Sequence, residues 1–242
     1  MMSLEEKVQC FHNVFNQLSK TRQTEYLDNF CIRYTHDSTT IEGNTCSYFD
    51  TVLLLTEGLT PAGKQLNEVY EIVGHDKAIK LLLSYAQNKT AISEDVICAL
   101  YKEVIFPVVH TNSYRKSEVY IRGATHCVVD TAHIYQEMKF FVADLSTKNF
   151  SSPIEKAAFA HAQLVKIHPF YDGNGRTSRL IMNLSLLNND YPMLNIKKEM
   201  RSKYFFALNQ YGENKDLNPF IKFMKTIMIH QIDEFLNKYR LQ

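Results

Sequence analysis

The chain has 242 residues, 45% hydrophobic and 22% charged, and its 27 basic and 26 acidic side chains leave a formal net charge of +1. That balance excludes bulk electrostatic attraction to nucleic acid or to an anionic membrane surface. No apolar run approaches the roughly 20 residues needed to span a bilayer, and the N-terminus carries no basic-then-apolar signal pattern, so a cytoplasmic protein is expected. With only 8 glycines and 6 prolines, few turns are signalled. Apolar residues at helical spacing predict helices over roughly 5–20, 22–43, 47–57, 64–87, 93–105, 133–147, 153–167, 174–189, 197–212 and 217–240. Ser93 reads as an N-cap ahead of Glu94 and Asp95, and Ser152-Pro153-Ile154-Glu155 as a capping box with proline at the first helical position. Gly58 and Gly212 stand where left-handed C-caps are expected, and Asn218-Pro219 opens the last helix. One stretch departs from the helical pattern. Tyr114 to Arg122 favours a strand, Gly123 to His126 a turn, and Cys127 to Val129 a return, which together predict a small β-hairpin. No linker, repeat or low-complexity tract divides the chain, so one all-α domain over 1–242 with that hairpin is expected.

Cys10, Cys31, Cys46, Cys98 and Cys127 are odd in number and scattered, which argues against a disulfide framework or a zinc site. Gly58 to Gln65 imitates a phosphate-loop spacing. Gln65 stands where a Ser or Thr would ligate magnesium, and no strand precedes it, so a helix connection is the better reading.

Chemistry concentrates at His168-Pro169-Phe170-Tyr171-Asp172-Gly173-Asn174-Gly175-Arg176-Thr177-Ser178-Arg179. Pro169 ends the preceding helix, and Phe170 is expected to anchor the loop in the core. Asp172 to Gly175 is a turn signal. Glycine lets backbone N–H groups approach an anion, and a helix start offers unsatisfied donors. Arg176 and Arg179, three apart, share one side of the following helix. Arginines clamp phosphates by paired hydrogen bonds, an aspartate can hold magnesium against them, and histidine can take a proton near neutral pH.

This run resembles the Fic domain signature, His-Pro-Phe-x-Asp-Gly-Asn-Gly-Arg-x-x-Arg, at every defined position. Ser38-Thr39-Thr40-Ile41-Glu42-Gly43 is similar to the family's inhibitory helix motif, here on the helix expected at 22–43, and 114–126 looks like its target-docking flap. The resemblance implies a protein adenylyltransferase of Fic-type helical fold. It would move AMP from ATP, with Mg2+, to a Ser, Thr or Tyr hydroxyl of a target protein, or of the chain itself. It implies His168 as general base, Asp172 on the metal, Gly173, Asn174 and Gly175 as phosphate nest, Arg176 on the phosphates and Arg179 on the γ-phosphate. Ser38, Glu42 and Gly43 would inhibit, with Glu42 pairing with Arg179. Tyr114, Lys116, Val119 and Ile121 would hold the target by strand addition. A homodimer is a further implication; nucleic-acid and membrane partners are not expected.

Alternatives differ in chemistry. Glu42 could instead support hydrolysis of AMP from a modified target. The kinase-like Doc branch lacks equivalents of Gly175 and Arg179, both present here. Transfer of another nucleotide or of phosphocholine is not distinguished by the sequence, because the base pocket is not readable. A module that binds nucleotide without turnover would need no complete set of catalytic residues.

Overall fold

A computed structural model describes residues 2–107, 114–119 and 127–239. Among these residues lie ten α-helices: α1 (Leu4–Gln17), α2 (Lys20–Glu42), α3 (Tyr48–Glu57), α4 (Leu66–Gln87), α5 (Glu94–Val104), α6 (Ile134–Thr147), α7 (Pro153–Ile167), α8 (Asn174–Asn188), α9 (Arg201–Asn214) and α10 (Asn218–Tyr239). Single 3-10 turns at Thr131–His133 and Lys198–Met200 lead into α6 and α9. None of the described helices is long and apolar enough to cross a membrane.

The helix starts follow their caps. Ser3 and Ser47 form capping boxes with Glu6 and Asp50, and the Ser152 side chain accepts from the Glu155 amide. The first expected boundary shifts because Ser19 caps α2, accepting from the Arg22 amide, so α1 ends at Gln17 and α2 starts at Lys20. Gly58 ends α3 in the left-handed region at φ 71°. The expectation for Gly212 fails. Gly212 is buried inside α9, its carbonyl accepts from Lys166 Nζ at 2.8 Å, and the helix ends two residues later with Lys215 at φ 60°. A glycine inside a packed helix gives no stop signal of its own. The 58–65 segment is the α3–α4 connection, as its missing strand implied.

The hairpin is not seen among the described residues. Residues 114–119 and 127–130 carry no strand, while 120–126, with Ile121, lie outside the described residues. All five cysteines are unpaired.

The α7–α8 pair forms the centre. Around it, α8 packs on α2, α4 and α5, and α7 packs on α6, α9 and α10, while α1 covers α10. An amphipathic α8, with Leu180, Ile181, Leu184 and Leu187 on its buried side, is the sequence expectation. Instead every residue from Arg176 to Leu186 is buried, because helices cover it from several sides. Leu180, Ile181, Leu184 and Leu186 are all 0% exposed, and each contributes about 1.5–3 kcal/mol from burial. That apolar packing fixes the helix whose first two turns carry both arginines. Leu184→Ala is therefore expected to destabilise the fold by about 2–5 kcal/mol in urea unfolding; a loss near zero would show that the centre can collapse around the gap.

Candidate active site at the α7–α8 junction

Pro169 cannot continue α7, so the helix closes at His168, whose amide donates to the Leu164 carbonyl at 3.0 Å. His168 sits in the left-handed region at φ 52°, ψ 58°, a conformation that is uncommon for a side-chain-bearing residue and costs about 1–3 kcal/mol. What holds it is Arg115, 2% exposed. The guanidinium donates from Nε to the His168 carbonyl at 2.8 Å and from Nη1 to the Ser117 carbonyl at 3.2 Å. Its Nη2 donates to the Val129 carbonyl, and its backbone amide donates to the Pro169 carbonyl at 2.8 Å. One buried arginine thus ties residues 115–117, Val129 and the histidine loop together.

The loop is anchored from inside. Phe170 is 1% exposed and stacks on Tyr101, ring centroids 3.6 Å apart. The Asn174 carboxamide closes the loop by accepting from the Phe170 amide at 3.0 Å and donating to the Phe170 carbonyl at 2.7 Å. Its side chain is thereby committed to the loop, leaving its backbone amide for an anion. Gly173 caps α8 at φ 75°, and a Cβ there would lie 3.1 Å from Ile105 Cγ2 and 3.2 Å from Val104 Cγ1. Only glycine meets both demands.

His168 Nδ1 lies 3.3 Å from the Val165 carbonyl. A carbonyl only accepts, so Nδ1 carries the proton and Nε2 presents its lone pair. Burial pushes this imidazole down to about 4, with the Val165 carbonyl opposing and Arg115 adding to the shift. The ring is a neutral proton acceptor at neutral pH.

Across the start of α8, charge is dense. Arg176 is 3% exposed and Arg179 1%. Arg176 Nη2 lies 3.2 Å from Asp172 Oδ2, and its Nη1 3.6 Å from Glu71 Oε1. Asp172 is exposed, and its Oδ1 accepts from the Gly173 amide at 2.6 Å. Arg179 donates from Nε to Ser38 Oγ at 2.9 Å, from Nη2 to the Ser38 carbonyl at 2.8 Å and to Glu42 Oε1 at 2.7 Å, and from Nη1 to Tyr204 Oη at 3.2 Å. The first amides of α8 supply the donors of a helix N-terminus. Together these groups can take several anionic oxygens at once.

The last turn of α2 reaches this site because Gly43 ends it at φ 115°, where a glycine is tolerated and a larger residue strained. Asn44 then donates to Glu71 Oε2 at 2.8 Å and to the Glu68 carbonyl at 2.9 Å, and Arg201 Nε donates to the Ile41 carbonyl at 2.8 Å. Gly175 makes the close approach of Glu42 feasible: a Cβ on it would stand 2.2 Å from Glu42 Oε1.

Asp172 also suits a magnesium ion. It offers hard oxygens at the rim, and magnesium commonly takes one or two carboxylates and completes its shell with phosphates and water. Among the described residues no group of three or more His, Cys, Asp or Glu forms a closed cage. The fit is therefore to an ion shared with a phosphate ligand.

Of the expected site residues, Ser38, Glu42, Gly43, His168, Asp172, Gly173, Asn174, Gly175, Arg176 and Arg179 converge on this junction. The flap residues divide. Tyr114 is 5% exposed and packs edge-on against Tyr135, so its side chain serves the body of the protein. Lys116 is exposed, with its amide donating to Tyr171 Oη at 2.9 Å, and Val119 is half-buried. Arg115, Glu71 and Tyr204 escaped the sequence reading. Arg115 lay inside the expected hairpin, where an arginine reads as solvent-facing, and nothing in the spacing brings Glu71 or Tyr204 to Arg176 or Arg179.

Residues 91–186 match the model of the Fic/DOC family. Over 98% of its length the chain is 32% identical to protein adenylyltransferase Fic of Drosophila virilis, covering 48% of that protein. The same identity holds over 97% of the chain with the Drosophila melanogaster protein of that name, covering 47% of it. The chain spans about half the length of the curated relatives it matches. Among solved structures, it is similar to a Fic domain-containing signaling protein from Bacteroides thetaiotaomicron, at 25% identity and TM-score 0.83, covering 94% of this chain and 95% of that one. It is also similar to residues 134–508 of Fic-1 from C. elegans, at 27% identity and TM-score 0.85, covering 98% and 73%.

The Arg115 clamp has a measurable weight. Arg115→Leu strands buried carbonyls without donors and is expected to cost about 1–3 kcal/mol or more in urea unfolding. Arg115→Lys recovers only part, because one ammonium cannot span the fork. A loss below about 0.5 kcal/mol, the level of an ordinary surface change, would contradict the clamp.

Proposed function

From the match of residues 91–186 to the Fic/DOC family model, we propose that the chain transfers AMP from ATP to a hydroxyl of a target protein and is restrained by its own α2. One observation carries this reading: the Arg179–Glu42 contact at 2.7 Å, beside the start of α8. Arg179 is the innermost cation available to a triphosphate, and it is already occupied by a carboxylate.

With ATP bound, the first amides of α8 receive phosphate oxygens beside Gly173, whose own amide is held by Asp172, and Arg176 neutralises them. Asp172 would hold Mg2+ there, which supplies further charge neutralisation on the phosphates. His168 Nε2 takes the proton of the target hydroxyl as its oxygen attacks the α-phosphorus. The bond from that phosphorus to the oxygen bridging toward the β-phosphate breaks, and pyrophosphate leaves. The AMP–target linkage and the imidazolium remain. Such transfer depends on positioning and charge stabilisation more than on covalent help.

Orientation decides whether attack occurs. Arg179 pairs with the γ-phosphate when free, and so turns the α-phosphorus toward His168. Glu42 on Arg179 blocks that pairing, so ATP enters in an unproductive pose. The target segment would lie against residues 114–119, where Val119 is half-buried and the Lys116 amide is already taken by Tyr171. Glu42 Oε2 has no hydrogen-bond partner among the described residues, which favours a second reading in which that oxygen aligns water and removes AMP from a modified target.

The test uses ATP labelled at the α- or the γ-phosphate, with a lysate and the protein itself as acceptors. Glu42→Gly is expected to place α-label on protein at least about tenfold faster than wild type. Adding His168→Ala is expected to reduce it roughly 10²–10⁴-fold, the usual weight of a general base. Label from the γ-position would move the protein to the kinase branch. No label from either position, with nucleotide binding retained, would leave a non-catalytic module.

The pH dependence has a definite sign. His168 accepts a proton only when neutral, so kcat/KM of Glu42→Gly is expected to rise as pH passes upward through about 4 and to be level through pH 6.5, where an ordinary histidine would titrate. A limb centred near 6.5 that disappears in no other buffer would show that the imidazole is not desolvated in the working enzyme. Circular dichroism over the same range separates this limb from acid unfolding.

A further inference from the structure

Arg179 is held on a side that neither Ser38 nor Glu42 reaches. Its Nη1 donates to Tyr204 Oη at 3.2 Å, and that oxygen lies 2.9 Å from His161 Nε2. The three groups are sealed from water, with Arg179 and Tyr204 1% exposed and His161 0%. The His161 and Tyr204 rings meet edge to face at 83°.

Direction follows from the donor inventory. A guanidinium only donates, so the tyrosine oxygen accepts from Arg179. The hydroxyl has a single proton, and His161 Nε2 is its partner among the described residues. Nε2 therefore presents a lone pair, and His161 is neutral with its proton on Nδ1. Burial, and then the Arg179 charge, push the imidazole the same way. The reverse arrangement, with Nε2 donating, would make the tyrosine oxygen accept twice and strand its own proton in a dry core. Each arrangement leaves one proton unpaired, on Nδ1 in the first and on the tyrosine in the second; what favours the first is polarisation along the chain, since a tyrosine oxygen that accepts from the Arg179 cation donates its own proton more strongly to Nε2.

We propose that His161 is a positioning residue for the phosphate clamp: by accepting the Tyr204 hydroxyl proton at Nε2, it turns the tyrosine oxygen onto Arg179 Nη1 and fixes the guanidinium plane. This rests on the AMP-transfer reading above. Ser38 and Glu42 belong to α2, so their hold on Arg179 is released if α2 withdraws. Tyr204 belongs to α9 and His161 to α7, so theirs persists. His161 also stands seven residues, two helical turns, before His168 on α7. One helix thus carries the proton acceptor at its end and, two turns back, the support for the arginine that orients the nucleotide.

The experiment measures binding of ATP and of ADP with Mg2+ by calorimetry in the Glu42→Gly background, and compares their ratio. That ratio isolates the γ-phosphate, the group Arg179 meets. Tyr204→Phe and His161→Leu are each expected to reduce ATP-over-ADP preference roughly tenfold, as for loss of a hydrogen bond to a charged group. ADP affinity should change little. His161→Gln, whose amide oxygen can accept the hydroxyl proton, should restore most of the preference. A merely structural role would weaken both nucleotides together and leave the ratio unmoved. If His161→Leu does not fold, Tyr204→Phe, which removes one oxygen and no packing, decides the matter. An unchanged ratio in Tyr204→Phe, with the parent discriminating, overturns the proposal while leaving AMP transfer intact. A Glu42→Gly parent that binds ATP but shows no preference over ADP overturns the γ-phosphate role of Arg179 itself.

Discussion

A full positive charge buried inside a helical core governs this structure. The Arg179 guanidinium is almost wholly removed from water, and an unpaired ion there would cost several kcal/mol even after relaxation. It is offset by donors spent on Ser38, Glu42 and Tyr204, which come from two helices, α2 and α9. Glu42, 34% exposed on its side chain, is the softest of these partners, because water reaches the carboxylate and screens the pair. An incoming phosphate can compete for that place more readily than for the buried ones. The ion pair is thus better suited to exchange than to stability.

The rest of the fold serves that placement. Because α8 is covered on all sides, its two arginines cannot swing into solvent, and their direction is set by packing. α7 presents His168 at a strained terminus that Pro169 creates and Arg115 holds. Gly173 removes the atom that would press on Ile105 and Val104, and Gly175 the one that would stand against the α2 carboxylate. Hydrophobic burial supplies the rigidity, and the polar groups at the junction draw on it.

Much of this was legible in the sequence. Helix period and serine caps placed ten helices nearly where they lie. The 168–179 run marked the junction because histidine, glycine and arginine each have a separate physical reason to be there. What escaped was long-range. The break between the first two helices was expected at 20–22 and lies at 17–20, because Ser19 is the cap that sets it. Gly212 looked like a stop because its burial in α9 leaves no trace in local composition. Arg115, Glu71 and Tyr204 reach the site only through tertiary contact, and an arginine in a strand-like stretch carries no sign that backbone carbonyls surround it. That α8 is buried all round was equally hidden, since two arginines, a threonine and a serine in its first half suggest a wet face.

Gly175 links two properties that are usually separable. Its missing methyl group is both the space through which Glu42 reaches Arg179 and part of the floor on which phosphate would rest. On the function proposed above, a side chain at this position would push against the Glu42 carboxylate and reshape the cradle together. A lineage that adopted alanine or anything bulkier there would disturb restraint and nucleotide fit in the same step, so escape from control would be reached through α2.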